Sequence, residues 1–594
     1  MRRYIVAGWA AAVSIMLGSP SAYGQLNIEY GGRIQSNVRF QINDVEAGNF
    51  YDQRRFEQGV ARNEHILKLR GAATSDRFSG IIDIDFVWLN LPRDVGTFED
   101  LSLRENVEPT RFEAHAAYIE GLDLLVEGLD LRIGQQMVAW GVGDGFNPTN
   151  NLNADDVEDR LLYGIQQANL MARLSYSYDD AFSAEAVLVP VFRPALLPTT
   201  GAIALALVDR LPMLDASIRH RLASENAFSA EEGSPTRVAN ILVDTPDTSL
   251  GNMQFAFRLA TTIAEQDIAV SYYQGFSDIP LPVQNLTVPV AGPVCDPADE
   301  TNCVDETLDT TTTLTYPKIK VVGLNLSGEI DPLGWISDDI NPIGYRIEVG
   351  LYLPEQRRIR LFQDNISVGP VTVDGEYDYN GIGTEGLGEA PLVLDSTPYA
   401  KWVVGLDYTF NQHVYLNLQW VHGLVEEVGA GDWINEGYTV RQSSAAPNVI
   451  IADGEAEEVS VLQCALFANS SLGLGQNPEV CAREILRPRI GDYIVLGLDF
   501  MFDSSRGLFR IFSIFDVTTM IEERWNGTQR VRRNLSPFSN EGFSMVLFPE
   551  LNYNFGGGFE LGGGALLFFG RDYTKFGDPA AGGSIVWTRA RFSF

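Results

Sequence analysis

Charged side chains recur at alternate positions through long stretches of this chain, and the spacing bears on what they can do. Arg33, Arg39, Lys68, Arg70, Asp83, Asp85, Arg111, Glu113, Arg132, Arg173, Arg258, Arg346, Glu348, Arg510, Arg589 and Arg591 all fall opposite an apolar stripe. Glu29, Glu64, Lys318, Lys320, Lys401, Asp407, Asp499 and Glu550 do the same. A period of two puts each set on one face of an extended strand. A face so mixed in sign has two uses. It can tie neighbouring elements together through ion pairs, or it can line the path of a solute.

Other chemistry finds less support. The five histidines, His65, His115, His220, His413 and His422, never stand at metal-ligand spacing, so no metal site is expected. No serine accompanies a recognisable base, and His115 and His422 have no partner motif; no catalytic residue or cofactor site is expected. Gly141-Val142-Gly143-Asp144-Gly145 is not followed by Lys-Ser/Thr, which excludes a phosphate-binding loop. Asp155, Asp156, Glu158 and Asp159 offer clustered oxygens, but without the regular spacing of a calcium loop they are expected to form a solvated acidic turn. Cys295, Cys303, Cys464 and Cys481 suit an oxidising compartment. Their sequence separation favours bridges 295–303 and 464–481.

The elements that carry these residues are legible at both ends. Residues 1–24 combine Arg2 and Arg3, a short apolar stretch and small residues before Gln25; they form an expected secretory signal peptide. The remaining residues, 25–594, form one domain. The last strand, Ser584 to Phe594, alternates Val586, Ala590, Phe592 and Phe594 with Trp587, Arg589, Arg591 and Ser593 and stops on an aromatic. Such an end resembles the C-terminal signal of bacterial outer-membrane β-barrels. Eighteen alternating runs can be counted, or sixteen if two are merged. The connections between them alternate between short and long, as expected for short periplasmic turns and long extracellular loops. The fold class that follows is all-β: a transmembrane antiparallel up-and-down β-barrel with both termini in the periplasm.

Composition agrees. The 594 residues carry a net charge of −35, which argues against nucleic-acid binding. No apolar run is long enough for a membrane helix. A Lys or Arg facing lipid at mid-membrane would cost about 2–4 kcal/mol, so the charged face must be the lumen. Two loop segments stand out. Residues 141–160, following Trp140, are the expected constriction folded back into the lumen, with Trp140, Gly141, Asn147, Pro148, Asp155 and Asp156 its markers. Residues 196–214 are so apolar that they must either pack into the barrel mouth or form a vestibule for a hydrophobic solute.

The order of features from Arg111 to Pro198 resembles the proteobacterial outer-membrane family known as domain of unknown function 1302. The resemblance is carried by Arg132-Ile133-Gly134-Gln135-Gln136, Trp140-Gly141, Phe146-Asn147-Pro148, Asp155-Asp156-Val157 and Ala184 to Pro194. Ala269 to Phe276 with Pro280, and Tyr316-Pro317 leading into Gly323 to Gly328, are similar too. The resemblance implies an outer-membrane barrel. The expected function is a channel for passive, loop-gated passage of a small solute, with hydrophobic compounds as candidates. Its expected partners are outer-membrane lipid and lipopolysaccharide, with the barrel-insertion machinery engaging the strand that ends at Phe594. The alternative expectation is a surface-binding protein or an enzyme of the lumen or surface.

Overall fold

The computed structural model describes residues 26–45, 58–89, 110–158, 164–179, 181–197, 236–296, 299–331, 341–358, 360–368, 371–376, 393–394, 396–429, 438–443, 484–525 and 530–594. The signal peptide, Cys464 and Cys481 lie outside them. Alternating residues build an 18-stranded antiparallel sheet. Its strands are β1 (Asn27–Gln41), β2 (Gly59–Thr74), β3 (Phe78–Leu89), β4 (Thr110–Gly121), β5 (Leu129–Gln136), β6 (Asn169–Tyr178), β7 (Phe182–Val189), β8 (Gln254–Ile263) and β9 (Gln266–Phe276). They continue as β10 (Lys318–Ile330), β11 (Ile343–Pro354), β12 (Tyr399–Asn411), β13 (Val414–His422), β14 (Asp492–Phe502), β15 (Gly507–Asp516), β16 (Ser544–Gly556), β17 (Phe559–Gly570) and β18 (Ile585–Ser593). Each pairs with its neighbour in sequence, and β18 pairs with β1, Arg33 opposite Ser593 through Gln41 opposite Ile585. The barrel is closed, and every one of the eighteen alternating runs becomes one of its strands.

One end of the barrel carries tight turns and the other carries the long connections. Ala264 and Glu265 turn β8 into β9 with both residues at positive φ, the twist a two-residue hairpin needs. Both chain ends lie at this turn end, which is the periplasmic side of such a barrel. Outward-facing Ile28, Ile34, Phe40, Leu170, Leu259 and Leu324 are exposed, as an apolar wall in lipid requires. Aromatics ring both ends. At the turn end Tyr553 meets Phe555 at 4.8 Å and Phe555 meets Phe559 at 5.7 Å; at the loop end Trp402 meets Trp420 at 5.7 Å and Phe86 meets Phe112 at 5.2 Å. A bulge skips His115, so that Asp83 faces Ala116 and Ile84 faces Ala114. Parity changes there, and Glu113 and Glu120 both reach the lumen despite their odd and even numbers.

The long connections hold smaller sheets. Strands Thr236–Asp244, Leu281–Asp296, Asp299–Thr315, Arg360–Val368 and Val371–Glu376 form one, and Tyr438–Ser443, Glu484–Pro488, Met520–Trp525 and Arg530–Leu535 form another. In the first, the backbone register sets Cys295 opposite Cys303.

Closure depends on a narrow seam. Gly32 donates its N–H to the carbonyl of Phe594 at 3.0 Å and accepts from Phe594 N at the same distance. A Cβ on Gly32 would lie 2.6 Å from the Lys68 carbonyl and 2.8 Å from the Phe594 ring. Gly32→Val is therefore expected to reduce sharply the fraction of refolded protein that runs as a compact, heat-modifiable band on SDS gels. Refolding with wild-type yield would contradict this account of the seam.

Candidate solute path and its inserted segment

The lumen has two tiers. Towards the loop end, the inward positions of β6 to β18 are mostly apolar, whereas β2 and β4 carry Arg62, Glu64 and Arg111 there. One cluster packs Val138, Trp140, Leu152, Met171, Val187, Val189, Ala256, Tyr273, Val321 and Tyr352, and another packs Phe146, Val403, Val421, Tyr493, Val495, Ile514, Val546, Leu566, Phe576 and Trp587. Towards the turn end the same strands present charges. Most of these pair along the wall rather than across it: Lys68 with Asp83 at 3.0 Å, Arg132 with Glu120 at 2.8 Å, Arg173 with Glu185 at 3.0 Å, Arg510 with Asp499 at 2.6 Å, and Arg346 with Asp407. Arg258 lies 3.5 Å from Glu185, and Arg111 lies 2.6 Å from Glu113. His115 Nε2 stands 3.2 Å from Asp85. His422, at the loop end, is stacked on Trp402 and bonded through Nδ1 to Asp492 at 3.0 Å.

Residues 137–158 and 164–168, between β5 and β6, fold into this lumen and supply part of both apolar clusters. Their anchor is Glu348 on β11. This residue, expected on the solute path, is wholly buried beneath the segment. Val142 N donates to its Oε2 at 2.7 Å and Gly143 N at 3.0 Å; Thr149 N and Oγ1 both donate to Oε1 at 2.8 Å. Gly141, at φ +105°, lies so close that a Cβ there would sit 2.7 Å from both carboxylate oxygens. Hydrogen bonds to a charged group are worth about 1.5–3 kcal/mol each, so this cradle fixes the segment's path.

Other contacts spread the segment across the lumen. Asp144 reaches Arg346 at 3.4 Å and accepts from Asn417 Nδ2 at 3.1 Å, on β11 and β13. Glu158 reaches Arg62 at 3.1 Å and Arg111 at 2.9 Å, on β2 and β4. These strand groups stand half-way round the barrel from each other, so the segment bridges opposite walls. Trp140 Nε1 donates to Glu185 at 3.1 Å, and Tyr352 Oη donates to the Pro148 carbonyl at 2.7 Å. The acidic run is not the solvated turn expected of it: Asp155 packs against Asp278 and Glu158 is paired with two arginines, while Asp159 lies outside the described residues. Among the described residues no group of three or more potential metal ligands collects.

Beside the segment lies a cleft lined by Asn147, Asn150, Asp155, Asp278, Lys401 and Glu427, among others. Asp155 N donates to Asp278 Oδ2 at 2.6 Å. Burial, then the Asp278 carboxyl, hold Asp155 well above the usual carboxylate range; burial raises Asp278 too. Burial and Glu158 push Asp156 up to about 6. Glu427 goes the other way. Burial alone would raise it, but Lys575 and Arg487 outweigh that and hold it below the carboxylate range. It accepts from Arg487 at 3.0 Å, Gly491 N at 2.9 Å and Lys575 at 3.2 Å, clamping three loop-end segments together.

The marker residues Trp140, Gly141, Asn147, Pro148, Asp155 and Asp156 all lie in the inserted segment. Asp278, Glu427, Arg487, Lys575 and Thr149 escaped sequence reasoning, for their partners are remote in the chain and no local pattern announces them. Arg39 is buried, Arg70 is exposed, and Arg33, Arg589 and Arg591 are half-buried on the seam strands.

Comparison with known proteins adds one match: residues 92–341 match the family described as "Protein of unknown function (DUF1302)". The matched stretch is under half of the chain. It contains β4 to β10, the inserted segment and every motif on which the resemblance rests. Among solved structures, the chain is similar to Pseudomonas aeruginosa OccK11 (OpdR) at 9% identity and a TM-score of 0.38, covering 96% of this chain and 95% of that one. It is also similar to a triple mutant of Rhodopseudomonas blastica porin at 10% identity and a TM-score of 0.28, covering 96% and 100%. At these values the likeness is distant, and the solutes of those proteins say nothing of this one's. No curated protein matches the chain.

The raised carboxyls give the docked segment a pH dependence. A carboxyl with a raised folded-state pKa holds its proton more tightly when docked, so docking is strongest at low pH and weakens as pH rises through that raised value. Hydrogen exchange in residues 137–168, corrected for intrinsic rates, should therefore increase as pH climbs from the ordinary carboxylate range past about 6. Asp155→Asn should flatten the increase. Protection independent of pH in the unaltered protein would contradict this.

Proposed function

We propose that the protein is an outer-membrane channel through which a small solute passes passively, gated by the inserted segment. The observation that carries this reading is the cradle at Glu348, which fastens a wall-to-wall segment inside a closed barrel. Eighteen strands enclose a lumen wide enough for an aqueous channel unless something fills it. Here the filling is a connection held by discrete polar contacts, which can be released without unfolding the wall. The apolar loop-end tier favours solutes with hydrophobic parts, and the charged tier below it favours hydration.

The start of the stretch 196–214 is tied to the same segment. Its first residue, Leu196, accepts from Val157 N at 2.9 Å and donates to the Asp155 carbonyl at 3.0 Å; residues beyond 197 lie outside the described ones. In the same reading the signal peptide directs export and is cleaved. The insertion machinery engages the strand ending at Phe594, and the outer leaflet with its lipopolysaccharide surrounds the loop-end aromatics.

The test is conductance of the purified, refolded barrel in planar bilayers, compared with Glu348→Gln. The unaltered protein should open rarely and briefly. The variant should raise open probability about tenfold or more, as loss of charge-assisted hydrogen bonds implies. Silence from both proteins would overturn the channel reading and favour a surface-binding or enzymatic role.

A further inference from the structure

The arginines at the barrel seam differ from the other charges of the lower tier. Arg33 on β1 and Arg589 and Arg591 on β18 share one patch. Gln35 stands opposite Arg591 and Asn37 opposite Arg589, which sets Arg33 diagonally beside Arg591. Arg589 and Arg591 stand two residues apart on the same face of β18, with Arg33 on the neighbouring strand. Like charges have thus been gathered where repulsion opposes them.

Their compensation is thin. Glu560 lies 3.4 Å from Arg591, and Glu550, which accepts from Asn552 Nδ2, stands near Arg589. Asp83 and Asp85 face the same space, but Lys68 stands 3.0 and 3.6 Å from them and His115 Nε2 lies 3.2 Å from Asp85. The Nε atoms of Arg33 and Arg589 are buried yet have no hydrogen-bond partner among the described residues. Arg589 rests over the Trp587 ring at 4.9 Å and donates to Asn552 at 3.1 Å; Arg591 donates to Gln35 at 3.1 Å. Neutral neighbours therefore fix the direction of Arg589 and share Arg591 with Glu560, so three guanidiniums stand beside few carboxylates. Arg591 remains 26% exposed. The contacts of the inserted segment described above fall on other strands.

We propose that Arg33, Arg589 and Arg591 form a binding site for a small carboxylate-bearing anion on the turn-end side of the inserted segment. Guanidinium forks match carboxylates in shape and charge, and one such anion would meet the exposed part of Arg591 beside the other two guanidiniums. As a station on the solute path the site rests on the channel reading, and it assigns that channel an anionic substrate class.

The experiment measures citrate binding to the full-length, detergent-solubilised barrel by calorimetry, beside the reversal potential of the same protein in a potassium chloride gradient. Arg33→Gln is the sharpest variant, because it leaves the seam bonds of Arg591 intact. Heat-modifiability on SDS gels confirms folding, and Arg33→Lys, which keeps charge without the fork, serves as the second variant. Citrate should bind the unaltered protein, bind Arg33→Gln about tenfold more weakly or worse, and bind Arg33→Lys with intermediate strength; the reversal potential should shift away from anion preference in Arg33→Gln. Absent citrate binding, or equal binding by all three, would overturn the site. Binding is read without conductance, so binding without conductance would sink the channel and leave the site standing, and conductance without binding would do the reverse.

Discussion

A carboxylate shut away from water must find its donors within the protein, and Glu348 finds all of its donors in one segment. The rest of the lumen follows from that demand. An unpaired buried charge costs several kcal/mol, so Val142, Gly143 and Thr149 stay where they are while Glu348 remains covered. With this stretch fixed, Phe146 and Trp140 are delivered to two different apolar clusters. Asp144 and Glu158 then reach opposite walls.

This arrangement separates two jobs within one wall. The turn-end tier has enough neighbouring ion pairs to satisfy most charges without any contribution from the loops. The loop-end tier relies on inserted chain to cover apolar side chains that would otherwise face water in a wide lumen. Rigidity therefore resides in the ladder, whereas the contents of the mouth are held by separable contacts: the cradle, the Asp155 and Asp278 pair, and the clamp around Glu427. A barrel so built can change what fills it without changing its hydrogen-bonded wall.

Much of the wall was legible in the sequence, because strand periodicity is local: residues such as Ile34 and Arg33 declare opposite faces by parity alone. The alternation of short and long connections likewise gave the orientation. What fills the lumen was only partly legible. The departure of 141–160 from the strand pattern marked it as inward-folding, but nothing local ties Thr149 to Glu348 or Asp155 to Asp278, which lie far apart in sequence. Parity placed Glu348 correctly on the lumen face and could not show that another segment covers it. The bulge at His115 was also invisible, since one skipped residue leaves no compositional trace.

The central claim is that release of the inserted segment from the wall opens the path. Cysteines placed at Thr149 and Asn325, whose side chains meet at 3.1 Å, would tether the segment in a background where the four native cysteines are serine. Bilayer recordings under oxidising conditions should show openings abolished, and reductant should restore them. Openings of the same size and frequency before and after reduction, with the tether shown by mass spectrometry to have formed, would contradict the account.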